Sequence, residues 1–426
     1  MAKIIVAAPP LAGEFGPLLQ VARALAARGH EITVLSGTVF REAVESAGLA
    51  FAPLAGVADY DIRELMVERE RLGLAPGPEA LNFDWVHAFA NPMPEEHLAL
   101  QKLLEQDPDQ YLVANVLFLG ALPVRRGVPG VRPKRWTAVS VVGLAVSSDD
   151  STFFGPVPVG PGEDAKAANR AANAQFSGSM EPTRVRLNEL LREMGAEEVQ
   201  DGFVDSIYAA PDVIAVLTVP GFEFHRDDLA ANIRLVGALP SEPVGEWEPP
   251  AWWSELDGSR PVVVVTQGTL VNRDLSQLVE PTLTGLAGQD VTVVAALGGA
   301  DPASLSIPVP ANAHVESYIP FDILLPKADL LITNGGAGGT HRALSNGLPV
   351  IIAGTTEDKP ANAARVAHHR LGVDLGTARP APDAIAAAVD AVLGSEEIRD
   401  NVRRLAEVYA GHDAIDRIED LASHRL

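Results

Sequence analysis

Short runs of apolar, β-branched residues alternate along this chain with longer stretches in which apolar positions recur every three or four residues. The first run is Lys3–Ala8, followed by a Pro- and Gly-containing segment, Pro9–Gly16. Pro17–Arg28 then places Leu18, Val21, Ala22 and Leu25 on one helical face. The pattern predicts strand, loop and helix, with Pro17 in the first helical turn and Gly29 as the stop. Glu31–Leu35 reads as the next strand, Val39–Ala47 as a helix and Leu49–Pro53 as another extended piece. The rhythm restarts at Arg260. Strand Pro261–Thr266, helix Asp274–Leu286 and strand Val291–Ala296 come first. Strand Asp329–Thr333, helix Thr340–Asn346, strand Pro349–Ala353 and helix Ala361–His369 follow.

Strands that are apolar almost throughout, separated by helices, point to βαβ units and parallel sheets buried on both faces. The expected architecture is α/β: two doubly wound, Rossmann-like domains facing each other across a cleft, at residues 1–238 and 260–409. Between them, residues 239–259 are rich in Pro, Glu and Trp and read as a stiff linker. Gly56–Gly202 is less regular and reads as binding loops. Ligands of open parallel sheets bind beyond the C-terminal ends of the strands. Three loops are selected on that ground: Pro9–Gly16, Gln267–Asp274 and Asn334–Gly339.

Composition narrows the function. Among 426 residues there are 33 Lys+Arg against 56 Asp+Glu, a formal net charge of −23. Such a chain is a poor partner for nucleic acid or for an anionic membrane surface. It has no cysteine, which removes disulfides, zinc–thiolate sites and Cys nucleophiles. The longest apolar stretches, near Ala138–Val146 and Pro261–Val265, fall short of the ~20 residues of a membrane helix. Pro9, Pro10 and Glu14 break the N-terminal run too early for a signal peptide. A soluble, cytoplasmic protein is expected.

The strongest constellation is Thr333-Asn334-Gly335-Gly336-Ala337-Gly338-Gly339-Thr340, a strand end, a glycine-rich turn and a helix start. Without Cβ atoms an anion can approach the backbone N–H groups, and the helix dipole favours it. The spacing fits neither a Walker loop nor a dinucleotide fingerprint. Thr266-Gln267-Gly268-Thr269 leaves the first strand of the same domain and can close on the same diphosphate. Thr355-Thr356-Glu357-Asp358-Lys359-Pro360 offers acceptors and a donor for sugar hydroxyls or phosphate. Phe83, Trp85, His87 and Phe89, with Met93, form an aromatic cluster suited to a planar or greasy ligand. Their alternate spacing also describes a half-buried strand. Asp59-Tyr60-Asp61 reads as a charged surface turn, His368-His369 as an exposed helix end, and His30 as a helix C-terminal residue. No metal site is expected.

Ser317-Tyr318-Ile319-Pro320, Leu330–Gly338, Gly347-Leu348-Pro349 and Asp358-Lys359 with Asn362-Ala363 resemble the donor-binding signature of nucleotide-sugar glycosyltransferases. The resemblance is to the bacterial antibiotic and macrolide enzymes of the glucosyl/glucuronosyltransferase superfamily and is strongest over residues 260–393. It implies a GT-B fold, inverting transfer and no metal or other cofactor, with the nucleoside diphosphate sugar, thymidine- or uridine-linked, as co-substrate. Residues 1–238 would then bind the acceptor, residues 260–409 the donor, and the terminal helix, residues 410–426, would pack back on the first domain. By position, Tyr318 and Ile319 would meet the nucleobase. Gly268, Thr269, Asn334, Gly335, Gly336, Ala337, Gly338, Gly339 and Thr340 would hold the diphosphate, and Asp358 and Lys359 the sugar. Asn334 stands where His is common, Gly339 where Ser or Thr is usual, and Lys359 where Gln is common.

The family's base is usually a His in the first βα loop, supported by an Asp after a later strand. Those positions fall on Glu14 and Asn115. The two changes fit each other. A His base ends cationic and benefits from a carboxylate, whereas a Glu base starts anionic and would be repelled by one but held by an amide. A carboxylate of ordinary pKa, ~4.3, suits a phenolic or otherwise acidic acceptor, or late proton transfer. His87 is the reserve base, and Phe83, Trp85, His87 and Phe89 the acceptor wall. The expected activity moves a sugar, with a deoxysugar as the expected cargo, to a hydrophobic polyketide-like or aromatic aglycone. The missing His and Asp also suit a silent auxiliary protein that activates a partner transferase, and nucleotide-sugar epimerases share the fold. Monomer and homodimer are both open.

Overall fold

The computed structural model describes residues 1–240, 247–268 and 274–423. These divide into two compact units: residues 1–217, 226–239 and the C-terminal stretch from Asp413 form the first, and residues 218–225 with Pro240–His412 the second.

The first unit is built on seven strands: β1 (Lys3–Ala7), β2 (Glu31–Ser36), β3 (Ala50–Pro53), β4 (Tyr111–Asn115), β5 (Trp136–Ser140), β6 (Val213–Val216) and β7 (Ile233–Leu235). They run parallel in the order β3-β2-β1-β4-β5-β6-β7. Alternate residues face opposite sides, as strand geometry requires. Ile5, Leu112, Ala114 and Ile214 pack against Leu100, Phe118, Leu191 and Phe203. Ile4, Val6, Val113 and Ala215 pack against Leu18, Val21 and Leu25 of the first helix. Ile415, Ile418 and Leu421 of the last helix, Ala414–Ser423, join that second layer. Glu419 on this helix accepts from Arg28 and sits 3.0 Å from His30 Nε2. His30 thus has a specific carboxylate partner, more than the dipole that sequence position suggested.

The first helix differs from expectation at its start. It spans Ala12–Ala27, five residues ahead of Pro17, and Glu14 lies in its first turn where a loop was expected. Phe15, Leu18 and Leu19 are buried in this register, and their burial outweighs the poor propensity of Gly13 and Gly16. Pro17 cannot donate to the Gly13 carbonyl, but Gly13 is exposed and water can take its place.

The irregular region is mostly helical, and the alternating aromatics do not form a strand. Helix Pro78–Trp85 runs into a π-helical turn at Val86–Ala90, and helix Met93–Gln106 follows. Helical spacing sorts the aromatics onto two faces. Phe83 and His87 lie against each other, 4.2 Å between ring centres. Trp85 meets Phe89 and Phe203 edge-on in the core.

The second unit has six parallel strands, β8 (Val262–Thr266), β9 (Thr292–Ala296), β10 (Ala313–Glu316), β11 (Leu330–Thr333), β12 (Val350–Ile352) and β13 (Gly372–Asp374). Their order is β10-β9-β8-β11-β12-β13. The expected helix from Asp274 begins only at Val279. The Trp-rich segment expected as linker is partly docked on this unit. Trp252 Nε1 donates to Glu316 at 2.9 Å, its ring stacks on His314, and Lys327 reaches the Leu256 carbonyl. Residues 241–246 lie outside the described residues. Within this unit, residues 218–225 are fastened by a buried ion pair, Glu223 with Arg365 Nη2 at 2.7 Å. Arg365 also lies over the Phe224 ring. His369, expected at an exposed helix end, stacks on Phe224, and burial lowers its pKa to about 4.

Candidate active site

In the first unit, Glu14 and Asn115 meet. Asn115 ends β4 and is fully buried, whereas Glu14 is half-buried in the first helical turn, where the dipole favours negative charge. Asn115 Nδ2 donates to Glu14 Oε2 at 2.5 Å. The Leu117 N–H donates to Asn115 Oδ1 at 2.8 Å. That backbone bond fixes which end of the amide is the acceptor, so the N–H end must face the carboxylate.

Two neighbours carry no sequence signal. The hydroxyl of half-buried Tyr60 donates to the Ala88 carbonyl at 3.0 Å, and desolvation, with the charges of Glu96 and Glu14, raises its pKa. Glu96 is fully buried. Its Oε2 accepts from the Leu119 N–H at 2.7 Å, while Oε1 has no partner. Desolvation pushes its pKa up to about 8, against the backbone N–H groups of Leu119 and Gly120. The partnerless oxygen is therefore the natural seat of a proton at neutral pH. Asp59 and Asp61 have local tasks: Asp59 accepts from the Thr38 N–H and hydroxyl, and Asp61 caps helix Ile62–Arg71. His87 Nδ1 is held by the Phe83 carbonyl at 2.8 Å. Trp85 and Phe89 belong to the core, and Phe83 and His87 are half-buried.

In the second unit the two glycine turns leave neighbouring strands at the same level, because Thr266 of β8 pairs with Thr333 of β11. Each threonine hydroxyl accepts the N–H two residues on, from Gly268 and Gly335. Asn334 Nδ2 donates to the Gln267 carbonyl at 2.6 Å, tying the turns together. The Gln267 side chain accepts from the N–H groups of Leu278 and Val279. Gly335 has φ of +91°, and a Cβ there would come within 2.5 Å of Ile352. Gly336 is the N-cap of helix Ala337–Ser345, and no side chain caps that end. The first-turn N–H groups of Ala337, Gly338 and Gly339 have no intrahelical partner and face an anion by default. Thr340 is turned inward, its hydroxyl donating to the Gly336 carbonyl at 3.0 Å. Thr269 lies outside the described residues.

Asp358 is the N-cap of helix Lys359–His368. Asn362 Nδ2 donates to Asp358 Oδ2 at 2.9 Å and to the Gly335 carbonyl at 2.8 Å, linking this helix to the glycine turn. Desolvation raises the Asp358 pKa, and the bond from Asn362 opposes it. Lys359 is buried, its ammonium on Glu357 and Thr356. Tyr318 is 64% exposed, ready for stacking, whereas Ile319 is 2% exposed, so only its backbone is free to meet a base. Gln267 and Asn362, which wire the loops together, stood within the motifs without being singled out as site residues. Their roles depend on bonds to distant backbone that spacing does not encode.

Two parallel, Rossmann-like sheet units, one ending in a glycine-rich turn before a helix, define the GT-B class of glycosyltransferase folds. Residues 280–415 match the family model described as erythromycin biosynthesis protein CIII-like, C-terminal domain. The chain is 34% identical to 4'-demethylrebeccamycin synthase of Lentzea aerocolonigenes, over 99% of this chain and 98% of that one. It is 32% identical to UDP-glucosyltransferase A1 of Starmerella bombicola, over 99% and 92%. Its fold matches the crystal structure of CalG4, the calicheamicin glycosyltransferase, with a TM-score of 0.74 at 22% identity, covering 99% of this chain and 97% of that one. The chain belongs to the GT-B glycosyltransferase superfamily and is an enzyme of its antibiotic and natural-product type. Among the described residues no helix is long and apolar enough to cross a membrane.

Proposed function

We propose that this enzyme transfers a sugar, a deoxysugar in our reading, from a thymidine- or uridine-linked diphosphate donor to a hydrophobic, phenolic or otherwise acidic aglycone, with inversion at the anomeric carbon. The observation that carries this reading is the Asn115–Glu14 bond. A carboxylate held by an amide can take the acceptor's proton without building up charge, and a phenol gives that proton up more readily than an alkanol. As the acceptor oxygen bonds to the anomeric carbon, the bond to the diphosphate breaks, and Glu14 ends protonated. Developing charge on the diphosphate is met by the first-turn N–H groups of Ala337, Gly338 and Gly339 and by Lys359. Asp358 accepts from sugar hydroxyls, and Tyr318 stacks on the base. The scheme calls for neither metal nor organic cofactor. Phe83 and His87 are the half-buried aromatics offered to the aglycone, with Trp85 and Phe89 behind them. The relative named as a UDP-glucosyltransferase supports a uridine donor.

The test is a screen of phenolic and alkanolic aglycones with thymidine- and uridine-linked sugars, scored by mass and by the anomeric configuration of product. Transfer to phenols with inversion supports the reading. Retention of configuration, or preference for simple alkanols, overturns it.

A further inference from the structure

Glu357 and Lys359 lie two residues apart beside the glycine turn. Glu357 has φ of +58°, a left-handed conformation that residues with a Cβ adopt rarely. It carries the Glu357 carboxylate onto Lys359 Nζ, which also reaches Thr356 Oγ1 at 3.3 Å. The two side chains differ sharply in exposure, 6% for Lys359 and 70% for Glu357. A buried cation is thus covered by a solvent-facing anion. The lysine stem lies against the glycine cluster: a Cβ on Gly354 would come within 2.9 Å of Lys359 Cδ and 2.0 Å of the Asn334 carbonyl. In the sequences of the two loops, residues 333–339 and 353–360, Lys359 is the one basic residue. Strained backbone persists where the surroundings impose it, often at ligand clamps.

We propose that Glu357 is a placeholder anion: it neutralises Lys359 when the donor site is empty, and the terminal phosphate of a nucleoside diphosphate displaces it. This inference rests on the donor-site reading above. A buried ammonium left unpaired is strongly unfavourable, so the fold needs an anion there in the absence of ligand. The exposed carboxylate returns to water at little cost when a phosphate arrives. The competition lowers apparent affinity for the diphosphate, since only the fraction of molecules with Lys359 released can bind it fully. It also favours release of the sugar-free diphosphate after transfer.

Calorimetry with thymidine diphosphate and with thymidine tests this on four proteins: wild type, Glu357→Gln, Lys359→Gln and the double variant. Glu357→Gln keeps a polar, largely exposed side chain at its position but leaves Lys359 without its anion. It should therefore melt at a lower temperature than wild type and regain more of that stability than wild type does on adding thymidine diphosphate. It is expected to bind thymidine diphosphate about 3- to 10-fold more tightly. Lys359→Gln is expected to bind it at least ~10-fold more weakly, the double variant to match Lys359→Gln, and thymidine affinity to stay level in all four. Unchanged or weaker binding by Glu357→Gln overturns the placeholder. Equal tightening in the Lys359→Gln background also overturns it, because Glu357 would then act by simple repulsion. If wild type binds the diphosphate and Gly336→Asp does not, the donor site stands whatever Glu357 does. If wild type binds neither thymidine diphosphate nor uridine diphosphate, both readings fall.

Discussion

Asn115 Nδ2 donates to Glu14 Oε2 at 2.5 Å, while its own carbonyl is held by the Leu117 N–H. A residue at the end of β4 and one in the first turn of helix Ala12–Ala27 are thereby joined across 101 positions of sequence. The amide cannot flip without leaving a buried N–H without its acceptor. Glu14 is consequently presented as a carboxylate whose Oε2 is held by an amide N–H.

Replacing Glu14 by Gln preserves shape and still offers an oxygen to Asn115. Transfer is expected to fall by about 10²–10⁴-fold, the usual worth of a general base. Affinity for the nucleoside diphosphate should stay within about twofold, as expected for a residue that acts on the acceptor and not on the donor. Steady-state transfer and calorimetry on the same preparation check the pair, and equal turnover would remove Glu14 from the mechanism.

Replacing Asn115 by Asp sets a second carboxyl against Glu14. Two carboxyl groups at this distance resist joint ionisation, so one pKa rises. The acid limb of the pH–rate profile should move to higher pH by about a unit or more. Stability should also fall as pH rises, because the native pair holds a proton that the unfolded chain has released. A wild-type pH profile in this variant would contradict the pairing.

Much of this was legible in the sequence where burial is two-sided. β1, β8 and β11 are apolar runs and sit where expected, and the glycine turn follows directly from β11, whereas β4 lies inside the stretch read as binding loops. The start of the first helix was obscured because Gly13, Gly16 and Pro17 are poor helix formers, and only the buried face of Phe15, Leu18 and Leu19 decides the outcome. The aromatic residues from Phe83 to Phe89 misled for a different reason. Alternation resembles a strand, whereas a helix running into a π-helical turn places the same residues in i, i+4 pairs. The Glu357–Lys359 pair depends on a positive φ at a non-glycine residue, for which side-chain pattern carries no signal.

Buried Glu96 in the first unit and buried histidines in the second should respond to pH in opposite directions. Glu96 in the first unit has its pKa raised from 4.5 to about 8, so native protein holds a proton that the unfolded chain loses. Stability of this unit falls as pH rises across that window, by a few kcal/mol at most. His341 and His369 in the second unit are lowered from 6.5 to about 3 and about 4, mainly by burial. The unfolded chain takes up protons that these native residues refuse, so the second unit weakens as pH falls below 6.5. Hydrogen exchange of the β1 and β4 amides against those of β8 and β11, at about pH 5 and about pH 8.5, separates the two responses. Glu96→Gln should flatten the first and leave the second unchanged.

Gly336→Asp tests whether the glycine turn before helix Ala337–Ser345 is a working diphosphate site. Gly336 is an N-cap with φ of −59°, and a Cβ there meets nothing nearer than Asn334 Oδ1 at 4.0 Å. Aspartate is a favoured cap, so the variant should be as stable as wild type or a few tenths of a kcal/mol more so. The same carboxylate stands where the diphosphate would be. Calorimetry with thymidine diphosphate and uridine diphosphate should give micromolar binding of at least one by wild type, and none by a Gly336→Asp protein of undiminished melting temperature. Binding that survives the substitution, or wild type that binds neither nucleotide, would mean that this turn holds no diphosphate.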